Sequence, residues 1–376
     1  MTLRIESLTL REIHLNLKEP FRISSGTQSR RRIVLVELRS ADGVVGWGEC
    51  AAGEFPNYSP ETPDTCWLAI KEWVAPRVLG REFAGPQEIQ PVLDENFRGH
   101  NMAKAAVEMG AWELTARAEG VSLAKKLGGV RDRIQVGISL GIQESPEALV
   151  AKVRAALERG YKKVKIKIKP GADVEYVRAA REALGPDAPL MADANNAYSL
   201  ADTSSLEALD DLGLMMIEQP LAWDDLLRHV VLQARLKTPI CLDESITSVD
   251  RAADMLALGA GRIVNIKPGR VGGFRQSLAI HDLCAEEGVP VWCGGMLESG
   301  VGRAHNVALA SLPNFTLPGD LSPSERYWER DIVTPEWTMD REGWIDVPVD
   351  RPGMGVEPDL DRIEDLTVRR EDLRAR

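Results

Sequence analysis

The sequence predicts an α/β protein, a TIM-type (β/α)8 barrel with a separate α+β domain ahead of it, and three observations carry that prediction. Charged residues close short apolar runs at Lys167 (KIKIK), Asp193 (MADANN), Glu218 (MIEQP), Asp243 (CLDES) and Lys267 (VNIKPG). Their separation of about 25 residues is the length of one strand, one helix and two short loops, the repeat of such a barrel. From IQVGISLG onward, strand-like runs alternate with amphipathic stretches such as DVEYVRAAREALG and GFRQSLAIHDLCAEEG, which is βα repetition. Residues 1 to about 125 keep no such spacing, so they form another domain.

In that first domain LRIESLTLREIHLNL, RIVLVELRS and GVVGWGE alternate apolar and polar residues, as antiparallel strands do. Asp42-Gly43 marks the turn between the second and third. ETPDTCWLAIKEWVAPRVLG, PQEIQPVLDENFRG and NMAKAAVEMGAWELTARAEG follow, with apolar residues at three and four and glycine at the ends, the pattern of helices. The domain is expected to be a three-stranded sheet followed by helices.

Eight barrel strands are expected: VGISLG, KVKIKIK, PLMADAN, LMMIEQP, PICLDES, RIVNIKPG, PVWCGG and FTLPGD, with SSLEALDDLG and DDLLRHVVLQARLK among the helices between them. The repeat fails after Asp320. The expected divisions are residues 1–125, 126–322 and 323–376, the last packing back against the first domain.

The 376 residues carry 46 Lys+Arg against 57 Asp+Glu, a net charge of −11, with no basic tract. This argues against nucleic acid and anionic membranes and favours a small-molecule partner. The five cysteines are odd in number, scattered and never in a CxxC pair, so neither a disulfide framework nor a zinc knuckle is indicated. The first residues read as a strand, not a signal peptide, and no apolar run approaches membrane-spanning length, so a cytoplasmic location is expected.

An acid that ends a parallel strand is commonly a helix N-cap. Here three such acids end consecutive strands about 4.8 Å apart, within the span of one cation. Hard oxygen ligands without His or Cys favour Mg²⁺, with coordination positions open to a substrate carboxylate. Asn195 shares the face of Asp193, and Gln219, Glu244 and Ser245 are candidate supporting groups. Lys165, Lys167 and Lys169 alternate with apolar residues, which places three ammonium groups on one strand face, pointing into the barrel mouth. Crowding and desolvation are expected to lower their pKa and make Lys167 a general base. Lys267 stands across the acids from it, so a bound substrate would lie between two amines, an arrangement suited to racemisation. A carboxylate on the metal has an acidified α-proton, because the cation and a lysine stabilise the enediolate left behind.

These motifs resemble the enolase superfamily, in its muconate-lactonising subgroup, and most closely the family of o-succinylbenzoate synthases and N-succinylamino acid (N-acylamino acid) racemases. The resemblance runs from EPFRISSG through GYKKVKIKIKPG, MADANNAY, IEQPLAWDDL, CLDESI, NIKPGRVGG and WCGGMLESGVGRAHN to LPGDLSPSERYWERD. It implies a modified (β/α)7β barrel, Lys167 and Lys267 as the acid/base pair, and Asp193, Glu218 and Asp243 as ligands of Mg²⁺, with Mn²⁺ or another divalent cation able to substitute. It also implies that residues 1–125 and the tail form a capping domain whose loops EPFRISSGTQSRR and AAGEFPNYSPET close over substrate. Phe21, Arg22, Tyr58 and Ser139 are candidate substrate contacts. Gly294 to Leu297 bring backbone N–H groups to a succinyl end, so Gly295, Met296 and Leu297 are candidates too. Arg270 resembles an arginine of the branch in which racemase activity accompanies synthase activity; otherwise it is a salt bridge at a helix start. A homo-oligomer, in the form of an octamer, is implied as well.

Relatives with a histidine base after the seventh strand are disfavoured, because that strand reads VWCGG. Dipeptide epimerases, which carry Asp-x-Asp after the eighth strand, rank second with muconate cycloisomerase-like enzymes, since LPGDLS offers only Asp320. A Schiff-base aldolase using Lys267 leaves three acids without a role, and a non-catalytic binding protein on this fold leaves the paired lysines without one.

Overall fold

A computed structural model describes residues 2–23 and 26–375. Ser24 and Ser25, in the first expected lid loop, lie outside the described residues. The expected three-stranded sheet has five strands among the described residues: alternation in the N-terminal sequence gives an antiparallel sheet in the order Thr367–Arg374, Leu3–Ile23, Gly26–Ser40, Val45–Cys50, and Glu82–Phe83 pairs with the start of Leu3–Ile23. The chain thus ends on an edge of the sheet it began. The Asp42-Gly43 turn forms as its residues require: Gly43 takes φ 82° and donates to the Ser40 carbonyl at 3.0 Å, a conformation glycine adopts without steric penalty.

Helix Asn101–Ala118 lies between this sheet and the barrel and is buried from Met102 to Thr115 and beyond to Ala116. A side chain at Gly48 would meet the Ala106 carbonyl at 1.9 Å, so the strand can seat the helix only with glycine there. The buried acids of this helix join the two parts of the molecule. Glu108 accepts hydrogen bonds from Phe274 N (2.7 Å) and Arg275 N (3.0 Å), the first turn of barrel helix Phe274–Glu286, whose own N-cap, Gly273, offers no side chain. Orphan N–H groups are thereby satisfied from another element.

The barrel sheet is parallel and ordered by sequence: Ile138–Leu140, Val164–Lys167, Leu190–Asp193, Ile217–Glu218, Ile240–Leu242, Ile263–Ile266 and Val291–Cys293. The expected eighth strand, FTLPGD, is not a regular strand. Pro318 has no N–H to give a ladder and Gly319 no side chain to pack. The segment still closes the cylinder, bridging Val291 through Phe315 and Val136 through Gly319, with Asp320 N donating to the Cys293 carbonyl at 2.9 Å.

Two expectations need correction. EPFRISSGTQSRR is not a free loop: the first two strands lose register between Asn16 and Phe21, where Pro20 interrupts them, then pair again at Phe21–Gln28, Arg22–Thr27 and Ile23–Gly26. The second barrel strand stops at Lys167, because Pro170 and Gly171 (φ 82°) turn the chain; Lys169 lies in that turn, half-buried, paired with Ala172. Among the described residues, no helix is long and apolar enough to cross a membrane.

Candidate active site

Register brings the charged strand ends together. Lys167 is the Cα partner of Asp193, Asp193 of Glu218 and Glu218 of Cys241, with Asp243 two residues further on. Lys167 Nζ donates to Asp193 Oδ2 (2.5 Å) and Asn195 Oδ1 (2.6 Å). Lys165 Nζ lies 3.2 Å from Asp193 Oδ2 and 3.0 Å from Glu218 Oε2. On the other flank Lys267 Nζ donates to Asp243 Oδ2 at 2.6 Å and sits 4.5 Å from the centre of the Tyr58 ring. The other oxygen of Asp243 receives Arg270 and the Tyr58 hydroxyl, the latter at 2.8 Å. Arg270 is thus a salt bridge at a helix start, in the short helix Pro268–Val271, but a buried one, and it also donates to the Ile246 carbonyl at 2.7 Å.

Supporting groups behave as their chemistry requires. Gln219 Oε1 accepts from Asp243 N (3.0 Å) and Ser245 N (3.2 Å), while its amide donates to Ser245 Oγ (2.7 Å). Glu244 accepts from the side chains of Asn195 and Asn196. Asn195, Asn196, Gln219 and Leu297 all have positive φ, and such backbone strain in non-glycine residues concentrates at functional sites.

At Lys165 the acids reverse the expected lowering of pKa. Burial alone would lower Lys165, but Asp320, Glu218 and Asp193 outweigh it and raise its pKa well above the ordinary value. At Lys267 burial likewise pulls the pKa down, and Asp243 overcomes that pull and raises it. Both are held as ammonium ions. Burial and the neighbouring Asp193 push the Glu218 carboxyl up to about 8, and burial beside Asp243 pushes Glu244 up to about 7.

Asp193, Glu218 and Asp243 are drawn onto lysines, and among the described residues no three acidic, histidine or cysteine side chains stand as a metal-coordinating cluster. The donor set nevertheless fits a hard divalent cation, since it offers buried carboxylate oxygens at three neighbouring strand ends and no nitrogen or sulfur ligand.

A cleft of about 580 Å³ opens above these groups, lined by Lys167, Asn195 and Lys267 below and by Phe21, Tyr58, Gly295, Met296 and Leu297 around it. A side chain on Gly294 would come within 2.6 Å of Lys267 Cε, so glycine there leaves the amine its place. Two candidates fall elsewhere. Arg22 is exposed and lines a neighbouring cavity with Gln143 and Arg326, because the strand pairing of its arm turns it to that side. Ser139 is the register partner of Lys165 inside the barrel, its hydroxyl without a hydrogen-bond partner among the described residues.

The sequence reading missed Asn265 and Lys163 and undervalued Asp320. Asn265 Nδ2 donates to Glu218 Oε1 at 2.7 Å. Asp320 lies 2.6 Å from Lys165 Nζ and 3.2 Å from Lys163 Nζ, and Lys163 is fully buried with its Nζ 3.3 Å from the Trp292 ring centre. Parity was the available signal: Asn265 and Lys163 each stand two residues before a lysine of the site. Asp320→Ala leaves the buried Lys163 without its carboxylate, while Lys165 keeps Glu218 and Asp193, so it is expected to destabilise the fold by about 3–5 kcal/mol, read from the denaturant midpoint at unchanged slope.

Residues 148–362 match the family described as enolase C-terminal domain-like, and residues 5–128 match the mandelate racemase / muconate lactonizing enzyme N-terminal domain. The chain belongs to the enolase superfamily. Within that superfamily it belongs with the o-succinylbenzoate synthases and N-succinylamino acid racemases. An o-succinylbenzoate synthase from Geobacillus kaustophilus is 51% identical over 98% of this chain and 97% of that protein. An N-succinylamino acid racemase from Amycolatopsis sp is 46% identical over 97% and 98% of the two chains. The crystal structure of an enolase-superfamily protein from Listeria innocua matches with a TM-score of 0.95 and 40% identity over 99% of both chains. A more distant member, a dipeptide epimerase from Cytophaga hutchinsonii complexed with Mg and D-Ala-L-Val, matches with a TM-score of 0.90 and 26% identity over 98% of this chain and 99% of that one.

Proposed function

We propose that this chain removes a proton next to a substrate carboxylate, both as an o-succinylbenzoate synthase and as an N-succinylamino acid racemase. One observation carries the reading: Lys167 and Lys267 line the same cleft and flank the three acids between them. Asp193, Glu218 and Asp243 would hold Mg²⁺, or Mn²⁺ in its place, which when bound neutralises the charge that the substrate carboxylate gains as the proton leaves. In the synthase reaction Lys167 takes the ring proton of 2-succinyl-6-hydroxy-2,4-cyclohexadiene-1-carboxylate and returns it to the departing hydroxyl, which leaves as water. The ring becomes aromatic. Lys267, kept cationic by Asp243, stabilises the anionic charge throughout. In the racemase reaction one lysine takes the α-proton and the other delivers a proton to the opposite face.

Phe21 and the Gly295–Leu297 turn also line the cleft, and the succinyl group would lie against them. Asp320 is engaged by Lys163 and Lys165, so it is not free to bind a peptide ammonium, and this sets the dipeptide epimerase reading aside. An imine-forming Lys267 is disfavoured on other grounds, since it leaves Asp193, Glu218 and Asp243 without a role. Menaquinone biosynthesis in the cytoplasm is the setting the synthase reaction fits. A homo-oligomer is supported by the exposed apolar side chains of Trp223, Leu227 and Val231.

With Mg²⁺ present, the purified protein is expected to convert the cyclohexadiene substrate to o-succinylbenzoate, followed by absorbance, and to abolish the optical rotation of N-succinylphenylalanine. Failure of both assays would refute the proposal.

A further inference from the structure

We infer that Glu244, acting through Asn195, fixes the position of Lys167 and not that of Lys267. This rests on the two-lysine reading above and adds a residue that touches neither substrate nor lysine. Glu244 is buried and does not line the cleft. Its Oε1 reaches the turn after the third barrel strand and accepts from both Asn195 Nδ2 (3.3 Å) and Asn196 Nδ2 (3.0 Å). Both asparagines are left-handed there, φ 42° and 64°, a conformation that asparagine tolerates better than most residues but that still needs outside support. The Glu244 carboxylate supplies it.

The same amide then meets the base. Asn195 Oδ1 accepts from Lys167 Nζ at 2.6 Å. An ammonium offers only donors and a carboxylate only acceptors, so one orientation of the Asn195 amide satisfies both neighbours. Glu244 sets that orientation, and with it the second of the two hydrogen bonds that aim Lys167, the first being to Asp193. Lys267 is aimed by other means, through Asp243 and the Tyr58 ring. Glu244 and Lys267 feel each other's charge, but among the described residues no hydrogen bond joins them, so Glu244 does not aim that amine. Glu244 is therefore a positioning residue for one face of the reaction.

Exchange of the α-hydrogen in D₂O separates the faces, because each lysine exchanges the enantiomer whose hydrogen it meets, whereas net racemisation needs both. The experiment follows this exchange by proton NMR at pH 8 with Mg²⁺, for each enantiomer of N-succinylphenylalanine separately. Lys167→Ala identifies the enantiomer that Lys167 serves. Glu244→Ala is expected to slow exchange of that enantiomer by about tenfold or more, as misplacement of a reacting group does, and the other by less than about threefold. Glu244→Gln keeps an acceptor oxygen and should restore most of the loss. In an Asn195→Gly background, which keeps the turn conformation and removes the amide, Glu244→Ala should have no further effect.

Should Glu244→Ala fail to fold, Glu244→Met keeps the bulk without the acceptor and takes its place. Equal losses for both enantiomers, no loss at all, or a full additional loss in the Asn195→Gly background would each overturn the inference. A wild-type protein that exchanges neither enantiomer would overturn the racemase reading itself, and the positioning role would go with it.

Discussion

Lys267→Ala is expected to split the two proposed activities, and Lys167→Ala to remove both. In the synthase reaction Lys267 contributes only a fixed positive charge, so its loss should lower kcat by about 10²–10³-fold, the usual effect of removing one group that stabilises a developing anion. Racemisation should vanish below detection, because a proton can then be delivered to only one face. Lys167→Ala removes the base common to both conversions and should lower the synthase reaction by about 10²–10⁴-fold. Neither change should unfold the protein. Asp243 keeps Arg270 and Tyr58 when Lys267 is lost, and Asp193 keeps Lys165 at 3.2 Å when Lys167 is lost. Steady-state rates of both conversions, with circular dichroism as the control for folding, test this. Equal losses of both activities in Lys267→Ala would remove the distinction between a charge and a base at that position.

The five charged residues of the proposed centre were legible because a parallel barrel gives strand ends a fixed spacing and a common direction. Register then did what the spacing implied: Lys167, Asp193 and Glu218 are successive Cα partners. Where reading failed, the cause was local. Pro20 looks like a loop residue, yet a register shift between Asn16 and Phe21 absorbs it and strand pairing resumes at Phe21. Pro170-Gly171 ended a strand that alternation alone extended to Lys169. The direction at Lys165 was misjudged because like charges in one sequence run are visible, whereas Asp320, 155 positions beyond Lys165, enters its surroundings only when the barrel closes. Asn265 was overlooked although it shares the face of Lys267, since an amide beside an acid carries no charge pattern to notice.

Chelation should silence the enzyme, and Glu218→Gln should reproduce that effect without changing the shape of the site. Dialysis against EDTA is expected to abolish both conversions and Mg²⁺ to restore them. The wild-type midpoint of thermal unfolding should rise with added Mg²⁺, since a ligand bound only to the folded state at 100 times its Kd stabilises by about 2.7 kcal/mol. Glu218 is the informative ligand to change. Burial and Asp193 already push its carboxyl up to about 8, so near neutral pH it carries much neutral character and an amide of the same shape is a close mimic. Lys165 retains Asp193 and Asp320, and Asn265 retains an acceptor, so the barrel interior stays paired. What the amide lacks is the ability to ionise when a cation arrives. Glu218→Gln should therefore fold with nearly the wild-type midpoint in EDTA, show little or no rise with Mg²⁺, and lose metal affinity by more than the roughly 10–100-fold typical of outer-shell changes. Activity that survives EDTA, or a Mg²⁺-dependent rise that survives Glu218→Gln, would show that these three carboxylates serve to anchor the lysines and nothing more.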